Sequence, residues 1–285
     1  MTALLTPIPA HVVSRAVAFA LEEDFGRGDI TTAACVPDTA QGQAVLAARK
    51  ALVLAGVAVF RETFRQVDPS LVVTDLAQDG ALLPKGTSAV RVQGKAASIL
   101  QAERVALNFV QRMSGIATLA RSFVDALPTG SKTRVTDTRK TTPGLRAFER
   151  YAVRCGGAHN HREDLSSAVL IKDNHIAASG GVTHAITRAR AHAPHTSRIE
   201  CEVDSMEQLH EALEARADIV LLDNFDDKTL GDAVKLVAGR ALIEISGGIT
   251  LDRIALIAAA GVDIISVGAL THSAPAVDLG LDWIA

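Results

Sequence analysis

The sequence predicts an α/β protein in two parts: a mixed α+β first half, then a parallel sheet or α/β barrel. Three observations lead there. From Lys132 onward, apolar strand-like runs alternate with helical segments, the pattern of repeated βα units. Aromatics are only 4% while hydrophobic residues reach 48%, so the core must be built from Ala, Val, Leu and Ile, as in helices packed on buried parallel strands. Each late strand candidate ends in polar or glycine residues, which is where barrel enzymes gather reactive groups.

The first half reads in order as follows. A helix is expected over Val12–Glu23, then a turn at Asp24-Phe-Gly-Arg-Gly-Asp29. Strands are expected at Gln43–Ala48, Leu71–Asp75 and Ala89–Gln93, with a helix over Val57–Gln66 and a turn at Pro84-Lys-Gly86. Ala102, Val105, Ala106, Phe109, Val110 and Met113 follow helical spacing, as do Ile116, Leu119, Ala120, Phe123, Val124 and Leu127. Ser114-Gly115 is expected to mark a break or a kink between them.

In the second half, strands are expected at Thr133–Thr136, Ala168–Ile171, Ile199–Val203, Ile219–Leu222, Leu242–Ile245 and Ile264–Val267. Ser205 with Gln208 forms a capping box, and Gly261 stops a helix over Ile254–Ala260. The strand ends carry Asp137, Arg139 and Lys140, then Lys172 and Asp173, Glu202 and Asp204, Asp223 and Asn224, Ser246-Gly-Gly248, and Gly268-Ala269. A barrel lets six successive ends converge. An open doubly wound sheet does so less naturally.

Charge and cysteine usage narrow the class. A net charge of -3 with one Trp and one Tyr argues against nucleic-acid binding. Cys35, Cys155 and Cys201 show no metal or disulfide spacing, and the longest apolar run, Ala51 to Phe60, is too short for a bilayer. No signal peptide is legible, so a soluble cytoplasmic protein without a membrane partner is the expectation.

Against that acidic background, Arg139, Lys140, Arg146, His161, Arg162, Lys172 and His175 crowd one central window. Arg offers a planar fork to carboxylates and Lys a point charge, so the set suits a ligand with two or more anionic groups. Glu200 and Glu202 share one strand face, where buried carboxylates need a cation, a hydroxyl or a basic neighbour. Asp223-Asn224 reads either as part of this site or as the cap of a helix starting at Phe225. Ser246-Gly247-Gly248 before a helix offers free N–H groups to a phosphate, and Val267-Gly-Ala-Leu270 could complete that pocket. His159, His161 and His175 lack zinc-site spacing. A Schiff-base lyase using Lys140 or Lys172 and a non-catalytic anion-binding module are the competing readings.

Motifs along nearly the whole chain resemble the quinolinate phosphoribosyltransferase family. They are Glu23-Asp24 with Asp29-Ile-Thr-Thr32, Glu103-Arg-Val-Ala-Leu-Asn108, Thr136-Asp-Thr-Arg-Lys-Thr-Thr-Pro-Gly-Leu-Arg146, Asn160-His-Arg162, Leu170-Ile-Lys-Asp-Asn-His175, Glu202-Val-Asp204, Leu222-Asp-Asn-Phe225, Ser246-Gly-Gly248 and Val267-Gly-Ala-Leu-Thr-His272. The resemblance implies an N-terminal α+β sandwich domain over residues 1–115. An incomplete, TIM-like α/β barrel follows over 116–269, and the tail 270–285 packs back on the first domain. It implies a homodimer with a shared active site, Mg²⁺, and the substrates quinolinate and 5-phosphoribosyl 1-pyrophosphate. Arg104, Thr138, Arg139, Lys140, His161, Arg162 and Lys172 are implied for quinolinate, with Arg104 donated across the dimer. Glu202, Asp223, Ser246, Gly247, Gly248, Val267, Gly268 and Ala269 are implied for the phosphoribosyl group. Lys140, Glu202 and Asp223 are implied in catalysis, and Glu202 and Asp223 toward the metal, directly or through water. Glu163-Asp164 depart from the family pattern, and two carboxylates there could pair with Arg162 and weaken its hold on quinolinate. A relative linked to molybdenum transport shares the framework, and the intact Asn160-His-Arg162 points to the quinolinate branch.

Overall fold

The computed structural model describes residues 5–223 and 225–284. In chain order the elements are α1 (Ala10–Phe25), α2 (Ile30–Cys35), β1 (Gln41–Ala48), β2 (Leu52–Val53), α3 (Val57–Val67), β3 (Val72–Asp75), β4 (Leu82–Leu83), β5 (Ser88–Lys95), α4 (Ala96–Asp125) and β6 (Arg134–Thr136). There follow α5 (Arg146–Cys155), β7 (Val169–Ile171), α6 (Asp173–Ser179), α7 (Val182–His192), β8 (Ile199–Val203), α8 (Met206–Glu214), β9 (Ile219–Asp223), α9 (Asp227–Val237) and β10 (Leu242–Ser246). A 3₁₀ turn at Leu251–Arg253 leads into α10 (Ile254–Ala259), β11 (Ile264–Ser266), α11 (Ala269–His272) and β12 (Leu279–Trp283).

The chain divides into two compact units. The first is Met1–Arg121, Thr141–Gly157 and Leu270–Ala285, and the second is Ser122–Lys140 and Ala158–Ala269. The segment Thr141–Gly157, with α5, therefore groups with the first unit, although it lies inside the stretch expected for the barrel. Its side chains explain why. Tyr151 donates to Asp79 at 2.8 Å, and Glu149 pairs with Arg112 of α4 at 2.9 Å.

In the first unit an antiparallel sheet runs β12-β1-β5-β3. Its core joins Leu46, Val90 and Val92 of the sheet to Phe60 and Phe64 of α3, and to Ile99, Ala106 and Val110 of α4. Both phenylalanines are fully buried, each worth about 1.5–3 kcal/mol of apolar transfer. The tail strand β12 pairs with β1, Leu281 opposite Leu46.

The expected break at Ser114-Gly115 does not occur, and α4 is continuous over 30 residues. Both residues serve packing instead. Ser114 Oγ accepts from the Ala55 N–H at 2.9 Å and Thr118 Oγ1 from the Val53 N–H at 2.9 Å, satisfying backbone that no strand pairs there. A Cβ on Gly115 would lie 2.0 Å from the Pro275 carbonyl oxygen. Small residues at this point let two backbones meet; they do not end the helix.

The second unit holds a six-stranded sheet, β6-β11-β10-β9-β8-β7, with every neighbouring pair parallel. Chain order runs round the sheet from β7 to β11 and returns to β6, so the arc is an α/β barrel left open between β6 and β7. His159 extends the β6 side by a parallel bridge to Thr136. The helix caps show how local sequence sets the strand ends. Ser205 accepts from Gln208 N at 3.3 Å to start α8, and Gly261 follows α10 with φ 96°. The cap of α9 is Asp226, which accepts from Thr229 N at 2.7 Å, and not the Asp223-Asn224 pair. Asn224 lies outside the described residues.

Candidate active site

A cavity of about 400 Å³ opens at the C-terminal ends of the second unit's strands. Thr138, Arg139 and Lys140 reach it from the end of β6, His161 and Arg162 from the loop before β7, and Leu170 and Lys172 from β7 and its end. Glu202 comes from β8, Leu221 and Asp223 from β9, Glu244, Ser246 and Gly247 from β10 and its end, and Ser266 from β11. Strand register makes this convergence. Glu202 pairs with Leu221 and Leu221 with Glu244, while Asp223 pairs with Ser246. Successive strands therefore deliver side chains at matched heights.

The loop that carries Arg162 is fixed from below. Asp137 is fully buried and accepts from Asn160 Nδ2 at 2.6 Å and from the His161 N–H at 2.7 Å. Arg162 Nη1 donates to the Ala168 carbonyl at 3.0 Å. Burial and the nearby Arg139 charge lower the Arg162 pKa, and the Glu200 charge opposes them. The expected pairing of Arg162 with Asp164 is not found. Asp164 instead accepts from Ser167 Oγ at 2.7 Å, from Ser166 Oγ at 2.7 Å and from the Ser166 N–H at 2.9 Å, which hold its carboxyl down at about 2. Its short side chain closes its own loop, and Arg162 lines the cavity.

Opposite charges face one another across the space. Lys172 Nζ lies 2.6 Å from Glu202 Oε2. An ammonium held by a carboxylate is a poor carbonyl-attacking amine, which weighs against Lys172 as a Schiff-base residue. At the floor, His161 Nε2 lies 3.2 Å from Glu244 and 3.5 Å from Glu200. Burial alone would lower the His161 pKa, but these two carboxylates outweigh it and raise it to about 10. Its Nδ1, however, lies 2.7 Å from the Arg162 N–H and must offer it a lone pair. The backbone contact decides the tautomer, since two N–H groups cannot face each other there. One ring proton therefore sits on Nε2, facing the two carboxylates. Burial and the Glu244 charge also raise the Glu200 pKa.

Not every expected residue joins this group. Gly248 lines a neighbouring hollow with Gly247, Phe225, Asp226, Asp227 and Arg253. Gly247 and Gly248 adopt φ 88° and 57°, backbone that favours glycine and turns N–H groups outward. Val267 is buried behind Ser266, and Gly268-Ala269 lead into α11. Arg146 belongs to α5 and donates to Thr141 at 3.0 Å, and His175 accepts the Lys172 N–H at 2.9 Å, so neither lines the cavity. Arg104 is exposed on α4 of the first unit. Sequence reasoning passed over Glu244, Ser266, Leu170 and Leu221. For Glu244 the sequence offers only a single carboxylate inside the aliphatic run Leu-Ile-Glu-Ile-Ser, and strand register is what sets it level with Glu202.

Comparison with known proteins places the chain. Residues 29–114 match the N-terminal domain, and residues 116–282 the C-terminal domain, of quinolinate phosphoribosyl transferase. The chain is 45% identical over 271 residues to the nicotinate-nucleotide pyrophosphorylase (carboxylating) of Mycobacterium leprae, covering 92% of this chain and 94% of that one. It is 41% identical over 260 residues to the probable nicotinate-nucleotide pyrophosphorylase (carboxylating) of Bacillus subtilis, covering 91% and 89%. The solved nicotinate-nucleotide pyrophosphorylase of Francisella tularensis matches with a TM-score of 0.94 at 39% identity, covering 100% of both chains. With both domains matched in order, and a barrel mouth that faces cations against carboxylates, the chain belongs to the quinolinate phosphoribosyl transferase family.

Proposed function

We propose that this protein transfers the phosphoribosyl group of 5-phosphoribosyl 1-pyrophosphate to quinolinate with loss of CO₂. The products are nicotinate mononucleotide, pyrophosphate and CO₂, a step of NAD biosynthesis. One observation carries the reading: Arg139, Lys140, Arg162 and Lys172 face Glu202 and Asp223 across a single cavity bordered by Ser246-Gly247. The cations suit a pyridine dicarboxylate, and the carboxylates suit ribose hydroxyls. The glycine loop with Gly248, Val267, Gly268 and Ala269 suits the 5-phosphate.

The chemistry follows from charge. The ribose C1–O bond to pyrophosphate breaks as positive charge develops at C1. The pyridine nitrogen then supplies its lone pair to C1. The bond from C2 to its carboxylate breaks next, leaving its electron pair on C2 beside the cationic ring nitrogen, and a proton from solvent replaces the CO₂. Arg139 and Arg162 orient the dicarboxylate, Lys140 stands between the two substrates, and Lys172 is exchanged from Glu202 to the incoming carboxylate. This is catalysis by positioning and by fixed charge. Glu202 and Asp223 are hard oxygen donors of the kind Mg²⁺ takes, and the ion would neutralise pyrophosphate.

The same reading includes a homodimer in which Arg104 of one subunit completes the quinolinate site of its partner, and a cytoplasmic enzyme. It also takes residues 1–115 with the tail as one domain and 116–269 as the catalytic barrel. Incubation with quinolinate, 5-phosphoribosyl 1-pyrophosphate and Mg²⁺ tests the activity. Release of CO₂ together with nicotinate mononucleotide is expected, and absence of both would overturn it.

A further inference from the structure

Beneath the cavity lies a group of buried side chains that the transfer itself does not use. Glu244 and Glu200 are 2% and 4% exposed on strands otherwise built of Ile, Leu, Val and Cys. A buried carboxylate is costly unless paired, so an aliphatic residue would serve packing better. Glu200 Oε1 has no hydrogen-bond partner among the described residues, which deepens that cost. Glu244 is anchored by the Ser266 hydroxyl, which in turn lies 3.1 Å from Thr136 Oγ1. Its Oε1 is also 3.2 Å from His161 Nε2. Across the ring, Nδ1 takes the backbone N–H of Arg162 at 2.7 Å. Both ring nitrogens of His161 are thus engaged within the protein, and neither is left as a donor for a ligand.

Resting on the quinolinate reading above, we infer that Glu244 is a positioning residue: through His161 it fixes the backbone at Arg162 and so presets the guanidinium that receives a substrate carboxylate. Ser266 and Thr136 hold Glu244 in turn, so the strands β6, β11 and β10 all bear on one arginine. His161 then acts by linking the floor to the loop, where sequence reasoning expected a direct ligand of quinolinate. Preset geometry matters here because the Arg139 charge repels Arg162.

The test uses the full-length protein and Glu244→Gln, which keeps the side-chain volume. Quinolinate binding is measured by calorimetry, KM for each substrate by turnover, and the ring tautomer of His161 from ¹⁵N-labelled histidine. In the wild type, Nδ1 of His161 should be an unprotonated acceptor. The variant should keep Nδ1 as the acceptor, because the Arg162 N–H sets it, and bind quinolinate about tenfold more weakly, the size of one hydrogen bond to a charged group. KM for 5-phosphoribosyl 1-pyrophosphate should stay within about twofold, since no contact to that substrate is removed. Ser266→Ala, which loosens Glu244 without removing it, should shift quinolinate binding the same way by less, and it serves if Glu244→Gln fails to fold. Unchanged quinolinate binding in a folded variant, or equal losses for both substrates, would overturn the positioning role. Wild-type protein that does not bind quinolinate at all would overturn the reading of the site itself.

Discussion

Asp79 illustrates how single residues hold the first unit together. One oxygen accepts the Val57 N–H at 3.0 Å and the other the Tyr151 hydroxyl at 2.8 Å. Burial outweighs these bonds and raises its pKa above the ordinary 3.8. A carboxyl with a raised folded pKa binds its proton more tightly in the folded state. Its contribution to stability is therefore greatest below the unfolded value and is lost as pH rises through the folded one. Asp79→Asn removes the charge and can still accept the Val57 N–H through Oδ1, while its NH₂ would donate to the Tyr151 hydroxyl in place of accepting from it. Urea midpoints measured from pH 3.8 upward should fall less steeply for the variant than for the wild type, and parallel curves would refute this account. At the site, Arg162→Ala should raise KM for quinolinate by about tenfold or more, as loss of a charged hydrogen bond does. The loss should appear in KM for quinolinate more than in KM for 5-phosphoribosyl 1-pyrophosphate, and equal losses for both substrates would refute this role. Arg139, Lys140, Arg162, Lys172, Glu202 and Asp223 were legible as a site because charge beside apolar strands is conspicuous in a linear sequence. Glu244 was not, because one carboxylate in one strand gains meaning only when register brings it under His161.

At the scale of elements, α4 shows where local reasoning misleads. Ser-Gly reads as a break because glycine is a poor helix former. The helix nevertheless continues, since Ser114 and Thr118 satisfy the backbone of Ala55 and Val53, and Gly115 admits the Pro275 carbonyl. Gly115→Ala improves helix propensity, yet it should destabilise the protein by about 1–3 kcal/mol through overpacking. Chemical denaturation would measure the sign, and a stabilised variant would mean that the close approach is unimportant. The barrel strands β8, β9, β10 and β11 were legible to within about a residue, because buried parallel strands are continuous aliphatic runs. The short β2 and β4 and the six-residue α2 were not. Leu52–Val53 and Leu82–Leu83 pair only with each other, and α2 depends on Asp29 accepting the Thr32 N–H at 2.9 Å. Such elements are set by single contacts, which no periodicity announces.

For the whole molecule, no helix among the described residues is long and apolar enough to cross a membrane. The proposed shared site makes an assembly-level prediction. Arg104→Ala and Lys172→Ala proteins, each inactive alone, should regain about a quarter of wild-type activity after complete random exchange, because about half the dimers are mixed and each mixed dimer holds one intact site of two. Mixed dimers that form and stay inactive would rule out donation of Arg104 across the interface. By itself the sequence determined the α/β class, the strand-rich second half and the basic window, because hydropathy period and local charge are properties of neighbours along the chain. Only the tertiary structure decided that α4 is unbroken, that Asp164 closes its own loop, and that α5 groups with the first unit. It also decided that Glu244 and Ser266 lie beneath the histidine. Each of these depends on which distant backbone or side chain arrives within hydrogen-bonding distance, and that is fixed by strand register and packing, not by the order of residues along the chain.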